Sequence, residues 1–262
     1  MEDMERYKHL NEYLKKKFGE RTLKICVDGG FTCPNRDGKI GYGGCIYCSE
    51  QGSGELITCK ESIEEQVKHY FTTYKAERAN KFIVYFQNFT NTYDTVENLK
   101  QKYDSALIDD RIVGLEVGTR PDCINEEVAK LLASYKEKYY VCVELGLQTS
   151  NDEIGKIINR GYTSKQFTES VEILNKYDID VVAHIMVGLP NETKKDIEDT
   201  VNFINKHKLQ GVKIHSTYVV ENTVLADMYR KGEYKALDLD DYIETLIDIM
   251  VQLNPNLIIH RI

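Results

Sequence analysis

The chain has 262 residues, 42% hydrophobic and 29% charged, with 34 Lys+Arg against 42 Asp+Glu and a formal net charge of −8. At ~150 residues per domain this allows one large domain or two small ones, with a core that needs no staple. The composition excludes a disordered chain, and the acidic balance excludes a surface that is basic throughout while allowing a local basic patch.

The first 18 residues, MEDMERYKHLNEYLKKKF, are charged along their length and lack the apolar stretch of an export signal. Tyr7, Leu10, Leu14 and Phe18 share one helical face, so residues 1–20 are expected to form a helix packed on an end or edge of the fold. Short runs rich in Val, Ile, Tyr and Phe then predict strands at Leu23–Asp28, Lys81–Phe86, Ile112–Val117, Tyr139–Leu145, Ile179–Val187 and Val212–Thr217. Helices are predicted between them. Ser62-Ile-Glu-Glu65 is a capping box opening a run to Arg78, and Asp94-Thr-Val-Glu97 opens the next helix. Asn125, Ser164 and Thr193 stand at N-cap positions, the last before an amphipathic run from Lys194 to Lys208. The longest apolar stretch, Val181 to Pro190, contains His184 and falls short of the ~18 residues of a membrane helix. No membrane association and a cytoplasmic location are therefore expected.

Alternating strands and helices imply a parallel sheet with right-handed crossovers. Six such units fall short of the eight that close a full barrel, so the expected fold is α/β, a partial (βα)6 TIM-like barrel with outer helices. With no linker or repeat, residues 21–262 are read as one domain. The chain stops inside a strand-like run after Asn256, and further residues are expected beyond it.

In parallel α/β barrels the chemistry sits at the C-terminal ends of the strands. The seven cysteines fall at 26, 33, 45, 48, 59, 123 and 142. Without an export signal, clustered cysteines are read as metal-binding rather than as disulfides. Three of them, Cys33-x11-Cys45-x2-Cys48, share a glycine-rich loop after the first predicted strand. Three chemistries fit a CxxC in such a loop. Structural zinc needs a fourth ligand, for which Cys59 is available. A redox CxxC would leave Cys33 unexplained. A four-iron cluster on three thiolates leaves one iron open to a non-protein ligand. Cys26, Cys59, Cys123 and Cys142 are otherwise read as small hydrophobes or free thiols.

This loop, ending in C-x-aromatic-C with Tyr47 at the aromatic position, resembles that of the radical S-adenosylmethionine (SAM) enzymes. Glu144-Leu-Gly-Leu-Gln148, Asn159-Arg-Gly161, Gly188-Leu-Pro190 and Thr119-Arg-Pro-Asp122 are similar to the radical SAM domain of the Elongator catalytic subunit. The wide Cys33–Cys45 spacing, the run from Phe86 to Thr92 and Lys213-Ile-His215 resemble the bacterial YtqA/YhcC-type branch. The Gly-Gly-Glu usual after the second strand is absent; Gln87 and Asn88 stand there.

The resemblance implies that Cys33, Cys45 and Cys48 hold a [4Fe–4S] cluster whose open iron takes SAM. It also implies a 5′-deoxyadenosyl radical that abstracts hydrogen. Tyr47 would lie against adenine and the Gly188, Leu189 and Pro190 backbone would line it. Gln87 would stand near the SAM amino group, Glu144 or Gln148 would bond its polar groups, and Arg160 would pair with its carboxylate. Each has a structural alternative: an ion pair for Glu144, loop bonding for Gln148, a helix-end charge for Arg160 and a core role for His184. Arg120 and Asp122 are expected to pair with each other. The implied partners are tRNA, at the anticodon wobble position, and an electron donor such as flavodoxin or ferredoxin. The implied reaction removes the carboxymethyl group of 5-carboxymethylaminomethyluridine, leaving 5-aminomethyluridine. Lys15–Lys17, Lys194–Lys195, Lys206–Lys208 and Arg230–Lys231 are the basic clusters from which a phosphate-binding patch would be drawn.

Overall fold

The computed structural model describes residues 6–52 and 61–262. Its strands are β1 (Lys8–His9), β2 (Thr22–Val27), β3 (Lys81–Phe86), β4 (Ile112–Thr119), β5 (Tyr140–Gln148), β6 (Asp180–Val187), β7 (Gly211–Ser216) and β8 (Ile258–Arg261). Its α-helices are α1 (Leu10–Phe18), α2 (Ile63–Phe71), α3 (Val96–Asp104), α4 (Glu126–Ser134), α5 (Asp152–Ile157), α6 (Ser164–Lys176), α7 (Lys194–Asn205), α8 (Val224–Arg230) and α9 (Leu239–Gln252). All the strands pair in parallel in one sheet, ordered β1-β8-β7-β6-β5-β4-β3-β2. The sheet curls into a partial barrel. The six strands expected from the sequence form its continuous body. The strand-like run after Asn256 extends it as β8, and β1, too short to leave a pattern, pairs with that edge.

The strands alternate with period two, and the two faces differ in chemistry. Outward residues such as Val27, Phe86, Leu115, Val143, Ile185 and Ile214 are buried against the helices and form the main hydrophobic core. Inward residues are largely polar: Lys24, Tyr85, Glu144, His184, Lys213 and His215 line a cavity inside the barrel. The bottom of the barrel is apolar again, where Leu10 and Leu14 of α1 pack on Ile83 and Ile258.

The helix starts follow their caps. Ser62 accepts from the Glu65 backbone, and Glu65 accepts from the Ser62 backbone at 2.8 Å, closing the expected box. That helix stops at Phe71 rather than Arg78, because the Thr72 and Thr73 hydroxyls bond back to the His69 and Tyr70 carbonyls at 2.8 and 2.7 Å. A separate 3₁₀ turn covers Ala76–Arg78. Thr95, Asn125 and Thr193 are N-caps. The cap of α6 is Thr163, not Ser164; Gln166 completes its box, and the Ser164 backbone donates to Asp152 at 2.7 Å. No helix among the described residues is long and apolar enough to cross a membrane.

Candidate active site

The loop after β2 folds on itself and is bolted to the far side of the barrel mouth. The backbone of Arg36 donates to the Cys33 carbonyl at 2.8 Å, and that of Cys48 to the Cys45 carbonyl at 3.0 Å. The Arg36 guanidinium gathers the carbonyls of Cys48, Ser49 and Glu50. Gly44 has φ 77°, and a Cβ there would sit 2.8 Å from Arg36 Nε, so conformation and close approach both require glycine. Asn35 Nδ2 donates to the Asn159 carbonyl at 2.6 Å, and Asn159 Nδ2 donates to the Gly44 carbonyl at 2.7 Å. Arg120 Nη1 donates to the Arg160 carbonyl at 3.0 Å and lies 3.9 Å from Cys33 Sγ. Residues distant in sequence, 119–122 and 159–161, thus fix the cysteine loop in place.

Cys33, Cys45, Cys48, Tyr47, Gln87, Glu144 and Gln148 all line one cavity of about 480 Å³. The Cys48 thiol donates to Cys45 and, helped by Arg120 and Arg36 against the opposing effect of burial, holds the Cys45 thiol down at about 6. Cys45 is therefore readier than Cys48 to serve as a thiolate. Burial, with the neighbouring thiols, pushes the Tyr47 hydroxyl up, so it stays protonated beside them. The three thiols open on this shared space, which has room for a multi-iron cluster with a further ligand. Two inward glycines widen that space: Gly118 and Gly146 both line it, and a Cβ at Gly146 would lie 2.7 Å from Gln148 Nε2. Gln148 itself has φ 61°, at a register shift between β5 and β6. This left-handed backbone turns the end of β5 at the cavity wall, where Tyr162 donates to Gln148 Oε1 at 2.6 Å.

Not all of the residues expected at the site face the cavity. Arg160 is fully buried and does not line the cavity. Its guanidinium donates to the Tyr162, Leu147 and Thr149 carbonyls at 3.0, 2.5 and 2.6 Å and to Asp152 at 2.8 Å. A group so engaged has little left for a SAM carboxylate. Gly188, Leu189 and Pro190 also lie outside the cavity lining. Leu189 packs with Ile46 and Tyr234, and the Gly188 and Leu189 amides donate to Glu192 at 2.8 and 3.2 Å. That segment supports the cysteine loop from behind, through Ile46. Glu144 reaches the cavity with both oxygens occupied. Oε1 accepts from Lys24 at 3.1 Å, and Oε2 accepts from Tyr85 and Lys213 at 2.5 Å and from His184 at 2.8 Å. It is the hub of an internal ion network. Arg120 and Asp122 form the expected ion pair, at 2.8 Å. His184 is no plain core residue, since it both binds Glu144 and lines the cavity.

Much of this network leaves no local pattern in the sequence. Lys24 bridges Glu144 and Glu116, the latter at 2.5 Å, and His260 Nδ1 lies 3.8 Å from both carboxylates. Burial lifts Glu116 to about 8, although Lys24 opposes it. Lys213 and Lys24 outweigh burial at Glu144 and hold it well below the usual carboxylate range. Burial keeps His215 down at about 3 and His260 at about 4, so both imidazoles are neutral. The available signal was a charged residue at the centre of a strand, as at Lys24 and Glu116. Cys142 is buried and Cys26 opens on the cavity; Cys59 lies outside the described residues. None of the basic clusters named above lines the cavity. Lys194 pairs with Asp248, Lys195 with Asp199, Lys208 with Asp178, and Arg230 with Glu221 and Asp227.

Comparison with known proteins agrees with this site. Residues 33–204 match the model of the radical SAM superfamily, and residues 209–262 match the radical SAM C-terminal domain. YtqA of Bacillus subtilis is 38% identical over 98% of this chain and 80% of its own length. Elongator complex protein 3 of Bos taurus is 29% identical over 66% of this chain and 30% of its own length. The structure of Elp3 from the archaeon Methanocaldococcus infernus superposes with a TM-score of 0.68 at 18% identity, covering 92% of this chain and 56% of that one. The chain belongs to the radical SAM superfamily, enzymes that bind a [4Fe–4S] cluster and SAM, in the branch that contains YtqA.

Proposed function

We propose that this enzyme acts on the wobble uridine of tRNA, converting 5-carboxymethylaminomethyluridine to 5-aminomethyluridine. The observation that carries the reading is the joint placement of the Elongator-like segments. Thr119, Arg120, Glu144 and Gln148 line the same cavity as the three loop cysteines, and Asn159 and Arg160 hold the cysteine loop and Arg120 in place beside it. In the Elongator-type domain they resemble, such a site serves radical chemistry at the side chain on uridine C5.

On this reading Cys33, Cys45 and Cys48 hold the cluster, and the bound cluster and SAM supply a 5′-deoxyadenosyl radical. Arg36 and Arg120 offset the negative charge of the thiolates. Tyr47, Gln87 and Gln148 provide the polar and aromatic wall for SAM at the mouth. The barrel walls below exclude water from the reacting centre. Residues 21–262 act as one catalytic unit on which the N-terminal helix packs. The reductant is a low-potential electron donor such as flavodoxin or ferredoxin. The target base leaves the anticodon stack to reach the cavity, as enzymes that act on bases require. The chain's acidic balance makes phosphate contacts local, and binding should weaken with salt.

The test is incubation of the reconstituted enzyme with hypomodified tRNA, SAM and a reductant, followed by nucleoside mass spectrometry. Loss of 5-carboxymethylaminomethyluridine with gain of 5-aminomethyluridine is expected. SAM cleavage with the nucleoside unchanged would overturn the tRNA reading and point to a small-molecule or protein substrate.

A further inference from the structure

The barrel interior carries a charge opposite to that of the whole chain. The protein has a net charge of −8, yet the cavity lining contains Lys24, Arg36, Arg120, Lys213 and Arg261 against one carboxylate, Glu144. Arg36 and Arg120 are engaged by loop carbonyls and by Asp122 near the cysteines. Lys24 is held between Glu116 and Glu144. Lys213 differs. Its ammonium has three N–H groups; one meets Glu144 at 2.5 Å and another the Tyr85 hydroxyl at 3.4 Å, which leaves one for the cavity it lines.

Two residues further along β7, on the same inward face, His215 Nε2 is buried with no hydrogen-bond partner. Its ring lies 5.1 Å from that of His184, and both line the cavity. A buried polar atom without a partner is costly, so its presence on a cavity wall marks a place for a ligand group. Two inward positions on one strand are ~6.6 Å apart, a distance that a carboxylate accepting one bond on each oxygen can span. Glu144 is shared between Lys213 and Lys24, so an anionic acceptor gains more from the ammonium than a neutral one.

We propose that Lys213 and His215 form an anion subsite that holds the carboxylate of the side chain being attacked, and so select an N-carboxymethyl group over a bare aminomethyl one. This rests on the wobble-uridine reading and names the feature of that substrate which the barrel recognises. The ammonium supplies the charge-assisted bond and the imidazole N–H the second bond. Glu144, fixed by Lys24, Tyr85 and His184 as well as by Lys213, sets the position of the lysine.

The test measures equilibrium binding of anticodon stem-loop RNAs that differ only at the wobble base, by fluorescence anisotropy with the cluster-loaded enzyme. The wild type should bind the 5-carboxymethylaminomethyl RNA ~10-fold or more tighter than the 5-aminomethyl RNA, the scale of a charge-assisted bond. Lys213→Met should lose that preference, and Lys213→Arg should restore most of it. Iron content and a melting curve confirm that each variant is folded. If Lys213→Met does not fold, His215→Ala strands no partner and should lower the preference by itself. Equal wild-type affinity for the two RNAs overturns the proposal, as does a folded Lys213→Met, or a folded His215→Ala, with the full preference. Preference without conversion of the nucleoside would refute the reaction and leave the anion subsite standing. Conversion without preference would do the reverse.

Discussion

Arg160 offers a sharp test, because the motif resemblance and the structure assign it different work. Its guanidinium ties the end of β5 to the segment between α5 and α6 through three carbonyls and one carboxylate. It is the largest fully buried side chain among the described residues. Replacing it with methionine keeps much of the volume and strands the carbonyls of Thr149 and Tyr162, while that of Leu147 keeps the Thr149 amide at 2.8 Å. A buried unsatisfied group costs about 1–3 kcal/mol, so two of them should cost ~3 kcal/mol even after partial relaxation. At about 2–4 °C of Tm per kcal/mol for a chain of this size, the midpoint should fall by ~6–12 °C. Arg160→Lys should fall nearly as far, since a lysine carries the charge but cannot span four acceptors in a plane. The assay is thermal unfolding, with SAM affinity measured by calorimetry well below every midpoint. If Arg160→Met melts with the wild type while SAM affinity drops tenfold or more, and Arg160→Lys recovers that affinity, the structural assignment is refuted.

Cys33→Ala, Cys45→Ala and Cys48→Ala should each abolish cluster incorporation, read as iron and sulfide content. Cys59→Ala should keep the cluster; the opposite pattern would reassign the ligands. Burial lifts Glu192 from an ordinary 4.5 to about 7, despite the bonds it accepts from Leu189 and Gly188. A carboxyl raised in the folded state contributes stability below its unfolded pKa and loses it as pH climbs through the folded value. From pH 5 to 8 the wild-type Tm should therefore fall further than that of Glu192→Gln, and parallel profiles would contradict this.

The alternation of strands and helices, the end of the chain as a strand and the cysteine loop could be read from local patterns. Each depends on neighbours within one element or one loop. The interior network could not. Lys24, Glu116 and His260 come from strands whose sequence positions are far apart, and their meeting follows from the curl of the sheet, which no local pattern states. The same limit applies to the motifs. Asn159-Arg-Gly161 resembles a SAM-site motif, and its Arg160 offers a partner for the SAM carboxylate. The fold uses its backbone and Asn159 to lock the cysteine loop and turns the Arg160 side chain into the protein. Gly188-Leu-Pro190 is expected to line adenine with its backbone, and the structure adds that the Leu189 side chain shares a buried cluster with Ile46, more than a hundred residues away in sequence. A motif marks where a site is built without saying which of its atoms face the ligand.

The polar barrel interior also explains why the N-terminal helix matters. β1 and β2 are consecutive in the chain but lie at opposite edges of the sheet, and α1 joins them across the bottom of the barrel. Leu10 and Leu14 pack there on Ile83 and Ile258, which precede Tyr85 and His260 by two residues on the same inward faces. Moving up the strands, an apolar plug is therefore followed directly by the ion network and then by the cavity. Without the plug, water would reach Lys24, Glu116 and Glu144 from below and weaken an ion network that depends on low local dielectric. Lys81 Nζ donates to the Phe18 carbonyl at 2.7 Å and fixes the end of the helix to β3. Leu14 is 2% exposed, so Leu14→Ala should destabilise the protein by about 2–5 kcal/mol. Because α1 contributes to the interior of the barrel, the variant should unfold in a single transition at a lower midpoint. A wild-type midpoint, or a separate early transition confined to the helix, would show that α1 is an appendage and that the ion network is sealed by other means.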